Sequence, residues 1–409
     1  MRSLPLMLLL IGLSAAGQGQ HPPQRPLSYD IAMPGRPFGI VTSADGGSVF
    51  VALSDVAGDG GIAVVQRSGA AYVLSGVVPL PRAATGLAIT HAITHDGNLL
   101  IAAAGPEVYF LDVSGAGAGG AAAVKVVGYL SDGANAGSIW ASVTRDDRWL
   151  FICDETSGQL TVVDLNRARS NGYSTASIVG TIPVGASPTA TVFPPDGVWA
   201  YTTVQVVSSL LGWPIDCTLE GSTDPTLVKP QGAVVVFKVA VAASNPSLAV
   251  TAAGQFVPAG CSPVRLALSP DALTMYVTAR NSNEVLALDT TKFAADPMHA
   301  VEGAAPVGVA PVPVAWIDSV CPGGGRQFEP FPGALDAAVP ECVGRGQVAR
   351  GRWGGSAGSH DSRRILSAHF DSFAGWPDAV SFELRFAIAG GAEFGEARGA
   401  NRPVENPSA

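Results

Sequence analysis

A segment of about 50 residues recurs along this chain, and the recurrence restricts the possible folds more than any other feature. Arg36-Pro37-Phe38-Gly39-Ile40-Val41 leads to Asp45-Gly46 and then Ser48-Val49-Phe50-Val51-Ala52. Ala84-Thr85-Gly86-Leu87-Ala88-Ile89 leads to Asp96-Gly97 and Leu99-Leu100-Ile101-Ala102. Ala136-Gly137-Ser138-Ile139-Trp140 leads to Asp146-Asp147 and Trp149-Leu150-Phe151-Ile152. Ser187-Pro188-Thr189-Ala190-Thr191-Val192 leads to Asp196-Gly197 and Trp199-Ala200-Tyr201-Thr202. Ser262-Pro263-Val264-Arg265-Leu266-Ala267-Leu268-Ser269-Pro270-Asp271 leads to Met275-Tyr276-Val277-Thr278.

Every copy carries the same local physics. An alternating apolar strand meets a turn in which Asp bonds the backbone and Gly accepts a positive φ. A second strand follows that is apolar on both faces, as for a strand buried between stacked sheets. Third strands close several copies: Ile62-Ala63-Val64-Val65, Val108-Tyr109-Phe110-Leu111-Asp112, Leu160-Thr161-Val162-Val163-Asp164, Val234-Val235-Val236-Phe237 and Val285-Leu286-Ala287-Leu288-Asp289. One such unit cannot bury both faces of its sheet, and radial stacking solves that. The expected fold is all-β: a β-propeller of four-stranded antiparallel blades, about five intact over residues 35–318. Ala315-Trp316-Ile317-Asp318 reads as the first strand of a sixth.

The fifth copy makes a resemblance specific. Ser262 to Asp271 followed by Met275-Tyr276-Val277-Thr278-Ala279-Arg280-Asn281 resembles the YVTN repeat, with Ala272 at the turn Gly and Arg280 inserted before Asn281. The other copies match more weakly. The resemblance spans about Arg36 to Asp318. It implies a propeller that is commonly seven-bladed, often exported, and similar in fold to lactonase-type propellers. It carries over no catalytic residue, because the motif residues are structural.

Composition narrows the function classes. A net charge of −9 opposes a nucleic-acid partner, whose phosphates need a basic face. Arg2, the apolar run Leu4 to Leu13 and the small residues Ser14-Ala15-Ala16 read as a signal peptide over residues 1–16. Residues 17–34 then read as a linker and a possible closing strand. The expected location is secreted or periplasmic. No later apolar run reaches the ~20 residues of a membrane span. The expected state is a monomer.

Two irregularities interrupt the repeats. Ala88-Ile89-Thr90-His91 is followed at once by Ala92-Ile93-Thr94-His95. The spacing places both histidines on one face, as in a metal pair, yet a third ligand is missing. A tandem duplication that bulges a strand accounts for it better. The fourth repeat carries an insertion between Gln205 and Gln231, with Leu210-Leu211-Gly212-Trp213-Pro214-Ile215-Asp216-Cys217. In an exported protein Cys217 and Cys261 are the disulfide candidates, pinning the insertion to the next blade. Cys153 lies in an apolar strand and reads as a buried thiol. Long loops carry function more often than blades do, so Leu211, Trp213 and Asp216 are the candidate recognition residues.

No metal cluster, nucleophile motif or phosphate loop is legible, so no cofactor is expected. The first reading is a binding scaffold in the cell envelope, its partner a protein or small ligand. The alternative is a lactonase-like hydrolase acting in the central channel, with Arg265 and Arg280 as the available groups, although interblade pairing explains them too. A redox propeller is opposed by the missing Cys/His ligand set.

Residues 319–409 break the pattern. They are rich in Gly, Arg, Pro and Ala without period. Read in codon positions two, three and the next one, Trp376 before Pro377 forces a Gly codon. In that register Phe373 to Arg385 can encode SPDGRTLFLSNFG, which is the repeat motif. Val320 to Phe331 can encode SVLVVAGNSNRF, and Ala338 to Gly344 can encode QSLSVLD. A frameshift near Ser319 is therefore expected, leaving improvised strands or disorder beyond it and poor solubility from an open ring. His360-Asp361-Ser362 and the Cys321/Cys342 pair are discounted as sites for that reason. The nucleotide sequence checks this: the shifted frame should read through the missing repeats, and early stop codons there would refute it.

Overall fold

The computed structural model describes residues 31–56, 59–69, 71–80, 90–219, 222, 224–250, 255–312, 314–316, 363–370 and 382–389. Five four-stranded antiparallel sheets follow one another along the chain, arranged as a β-propeller. The first blade holds β1 (Arg36–Thr42), β2 (Ser48–Val56), β3 (Asp59–Ser68) and β4 (Ala71–Leu80). The second holds β5 (Thr90–Ile93), β6 (Leu99–Ala104), β7 (Glu107–Asp112) and β8 (Lys125–Ser131). The third holds β9 (Ser138–Val143), β10 (Trp149–Asp154), β11 (Gln159–Asp164) and β12 (Ile178–Pro183). In the fourth, β13 (Ala186–Val192) and β14 (Trp199–Val206) are separated from β17 (Ala233–Lys238) and β18 (Phe256–Pro258) by a ribbon of β15 (Ile215–Thr218) and β16 (Val228–Pro230). The fifth holds β19 (Pro263–Leu268), β20 (Thr274–Ala279), β21 (Glu284–Asp289) and β22 (Val301–Pro306).

A sixth, three-stranded sheet pairs β23 (Val314–Trp316) with β24 (Arg363–Phe370) and β24 with β25 (Phe382–Ala389). The rest of 319–409 lies outside the described residues, as do the signal-peptide stretch, Ala84–Ile89 and Ile317–Asp318. Of the stretch 17–34 only 31–34 are described, and they form no strand. Ile31 and Met33 instead pack against Val49, Val51 and Leu53 on the first blade.

The second strands show why the blades must stack. Leu150 and Ile152 of β10 join the core shared with the second blade, while Phe151 and Cys153 join the core shared with the fourth. All four are fully buried. A period-2 strand with apolar residues on both faces needs a sheet on each side. The first strands β1, β5, β9, β13, β19 and β23 each pack on the next and line the centre.

The first hairpin of each blade is built alike. Ser43 Oγ donates to Asp45 Oδ1 and accepts from Ser48 N; Thr94, Thr144 and Ser269 repeat this with Asp96, Asp146 and Asp271. Pro194 takes the hydroxyl's place in the fourth blade. The residue after the Asp is left-handed in all five: Gly46, Gly97, Asp147, Gly197 and Ala272, at φ between 54° and 73°. A Cβ at Gly46, Gly97 or Gly197 would meet nothing within 4 Å. The slot therefore selects Gly by backbone conformation, not by space. Asp147 offsets its strain, because its carboxylate accepts from His95 N at 2.9 Å and Asp96 N at 3.2 Å on the neighbouring blade. Ala272 has no such compensation. Ala272→Gly is expected to raise stability by about 0.5–1 kcal/mol in denaturant titration; a loss would contradict this account of the turn.

Candidate functional site

Strands one and three of a blade run one way, and strands two and four run back. The hairpins between strands two and three therefore gather at one end of the ring with the links between blades. The fourth blade's insertion belongs to that end. So does an open cleft of about 540 Å³ lined by Glu155, Thr156, Ser157, Gly158, Gly185, Ala186 and Ser187.

Aligning the blades on their turn Asp places Ser54, Gly105, Glu155, Gln205 and Arg280 at one repeat position, near the end of the apolar second strand or just beyond it. In the third to fifth blades that position is long and polar. Gln205 Nε2 donates to Glu155 Oε1 at 3.2 Å. Arg280 N donates to Ser262 O at 3.0 Å, which holds this hairpin against the link that enters the fifth blade.

Arg265 sits on β19, at the repeat position held by Trp140 on β9 and Ala190 on β13. Its guanidinium reaches across both neighbours. Nη1 donates to Thr189 O at 2.6 Å and to Val264 O at 3.0 Å, and Cζ stands 4.5 Å over the Trp140 ring. The small side chain of Ala190 leaves the room for this crossing. Only 8% of Arg265 is exposed. Burial pushes its pKa down to about 10, with the Glu155 carboxylate opposing and Arg280 adding to the fall. Among the described residues no carboxylate forms an ion pair with Arg265. A buried cation without a direct ion pair is a costly arrangement.

The insertion is tied to this same end of the ring, the channel mouth. A disulfide joins Cys217 on β15 to Cys261, with Cα atoms 5.5 Å apart. Lys229 Nζ donates to Ser262 Oγ at 2.8 Å, and Asn281 Nδ2 donates to Thr218 O at 2.6 Å. Leu211 and Trp213 pack against the core shared by the third and fourth blades, so they anchor the insertion. Asp216 is exposed, and Leu210 (94%) and Ile215 (57%) project furthest into solvent. Of the three candidate recognition residues, Asp216 is thus exposed, while Leu211 and Trp213 are half-buried.

The remaining sequence candidates fall elsewhere. The side chain of His91 lies outside the described residues. His95 is exposed at the opposite end, its Nδ1 2.8 Å from Asp147 Oδ1. Thr94 of the second tandem copy supplies the turn hydroxyl, so the duplication is absorbed before β6. No group of three metal-ligating side chains occurs among the described residues. Cys153 is a buried free thiol pushed up to about 12 by burial. No helix among the described residues is long and apolar enough to cross a membrane.

No protein-family model and no curated protein sequence matches the chain. Among solved structures it is similar to a periplasmic gluconolactonase of Pseudomonas aeruginosa, at 18% identity and a TM-score of 0.47, over 68% of this chain and 72% of that one. A putative 6-phosphogluconolactonase of Bacteroides fragilis gives 14% identity and a TM-score of 0.48, over 67% and 70%. A Kuenenia stuttgartiensis hydrazine synthase gives 15% and 0.40, over 73% and 92%.

The cystine makes a testable claim. Replacing Cys217 and Cys261 together by Ser is expected to cost roughly 2–4 kcal/mol in denaturant titration, with protease cleavage appearing within the insertion. An unchanged midpoint and an intact insertion would refute its pinning role.

Proposed function

We propose that this chain is an exported binding scaffold whose ligand is a small anion held at the channel mouth by the third, fourth and fifth blades. The observation that carries the reading is Arg265, a buried guanidinium with no carboxylate partner among the described residues. A ligand carboxylate or phosphate supplies the missing counter-charge and takes the donors that Thr189 and Val264 leave unused. Arg280 adds a second positive charge, and Gln205 adds an amide. Glu155 lines the adjoining cleft and discriminates against ligands that carry charge on that side.

A second reading is a hydrolase of lactone-type esters, and the influence of both the Glu155 carboxylate and the Arg280 guanidinium on Arg265 favours it. Ester opening needs a positioned base and a stabiliser of the developing oxyanion. Glu155 would be the base, and Arg265 or Arg280 the stabiliser. Loss of aldonolactone hydrolysis in Glu155→Gln would select this reading over simple binding.

The test of binding separates the ligand's role from the fold's. Without ligand, Arg265→Met is expected to melt no lower than the parent, because it removes an uncompensated buried charge. Citrate, gluconate and inorganic phosphate, each tested at constant ionic strength, should include an anion that raises the parent's melting temperature and leaves the variant's unchanged. If Arg265→Met is strongly destabilised and every anion shifts both proteins equally, Arg265 is only an interblade brace.

A further inference from the structure

Asp154 breaks the repeat in a way that the channel mouth does not explain. It ends β10 at the position held by Leu53, Ala104, Val204 and Ala279 in the other blades. Every one of these positions is buried, and Asp154 is 0% exposed. Asp132, on the link from the second blade to the third, reaches the same spot, and the Ser138 hydroxyl stands between the two carboxyls. Ser138 Oγ lies 2.6 Å from Asp132 Oδ2 and 3.1 Å from Asp154 Oδ1, and Thr161 Oγ1 donates to Asp154 Oδ2 at 2.6 Å. Asp132 Oδ1 is buried without a hydrogen-bond partner.

The position of this pair gives it leverage. Ser138 also makes the backbone bridge between the two blades: Gly105 N donates to Ser138 O at 3.0 Å, and Ser138 N donates to Gly105 O at 2.7 Å. The Ser138 hydroxyl has one proton to donate, so it can satisfy only one of two charged carboxylates, and bonding to both needs a proton on the other. Two carboxylates at this distance in a buried site repel strongly. The titratable neighbours offer no relief: Glu107 on β7 is acidic and bonded by the Tyr109 hydroxyl, Cys153 is a buried thiol, and Glu155 faces Gln205. β9 and β12 bring no charged side chain, and the Asp164 of β11 caps the helix that follows it.

We propose that Asp132, Ser138 and Asp154 form a proton-dependent clasp between the second and third blades, closed while the pair holds a proton and loosened when both carboxyls are charged. Burial raises the proton affinity of both groups, and the charge of Asp132 raises that of Asp154 further. The sign follows from linkage. Below the ordinary carboxylate pKa of about 4, folded and unfolded chains are both protonated and the clasp contributes fully. As pH rises the unfolded chain loses its protons first, so the contribution falls and is gone once pH passes the raised folded pKa. An alkaline shift thus loosens one joint of the ring, next to the blade that carries Glu155.

The test uses the full chain. Asp154→Asn keeps the hydrogen bonds without the second charge. Between about pH 4.5 and pH 8.5 the parent's melting temperature should fall relative to the variant's by roughly 5 °C. Amide exchange over 131–140 should speed up in the parent beyond its rate in the variant at the higher pH. Parallel melting curves, or equal exchange, would overturn the clasp. The parent alone gives a second reading if the variant fails to fold. Its infrared spectrum at about pH 6 should keep the carbonyl band of a protonated aspartic acid, well above the usual pKa of about 3.9. Absence of that band would overturn the proposal equally.

Discussion

A strand that is apolar on both faces cannot be left at the surface of a sheet, and every other feature of this molecule follows from meeting that demand. β6, β10, β14 and β20 are buried almost throughout. Each therefore sits between its own sheet partners and the sheets of neighbouring blades. Stacking by itself would permit a flat pile. The shared centre formed by β1, β5, β9, β13, β19 and β23 turns the pile into part of a ring. The hydroxyl–Asp turn, with its left-handed residue, reverses the chain after each first strand and sets its register against the second.

Because the blades share one frame, equivalent positions can be compared, and the departures from the frame are where chemistry collects. At the position that closes the second strand or follows it, small residues in the first two blades give way to Glu155, Gln205 and Arg280. On the first strands, Trp140, Ala190 and Arg265 make a single interlocked row in which the middle residue must be small. One residue before Glu155, Asp154 places a carboxyl where the other blades place an aliphatic group. The mouth and the clasp are thus neighbouring consequences of two adjacent substitutions in the third blade's hairpin.

Much of this was legible in the chain alone. The period, the Asp turns and the alternating apolar residues specify blades, and Cys217 and Cys261 are joined. The fourth strands were harder to read, because the outermost strands such as β8 (KVVGYLS) and β22 (VEGAAP) bury little, and their apolar and polar residues do not alternate even where exposure does. Leu211 and Trp213 look like display residues by type, yet an inserted loop first needs anchors, and large apolar side chains serve that purpose. The Asp132–Asp154 contact joins residues of two blades, so local pattern could not reveal it. The signal that was available is the lone acidic residue ending an otherwise apolar second strand. Residues 319–409 carry no such repeat in the frame as written, and only β24 and β25 are described there.

The central claim is that Arg265 is a cation built to meet an anion from outside the chain. Crystals soaked in sodium bromide and measured at the bromine absorption edge test it directly. The account predicts an anomalous peak within hydrogen-bond reach of the Arg265 guanidinium at the channel mouth. Bromide found only at surface lysines, or a carboxylate of the chain itself closing on Arg265, would contradict it.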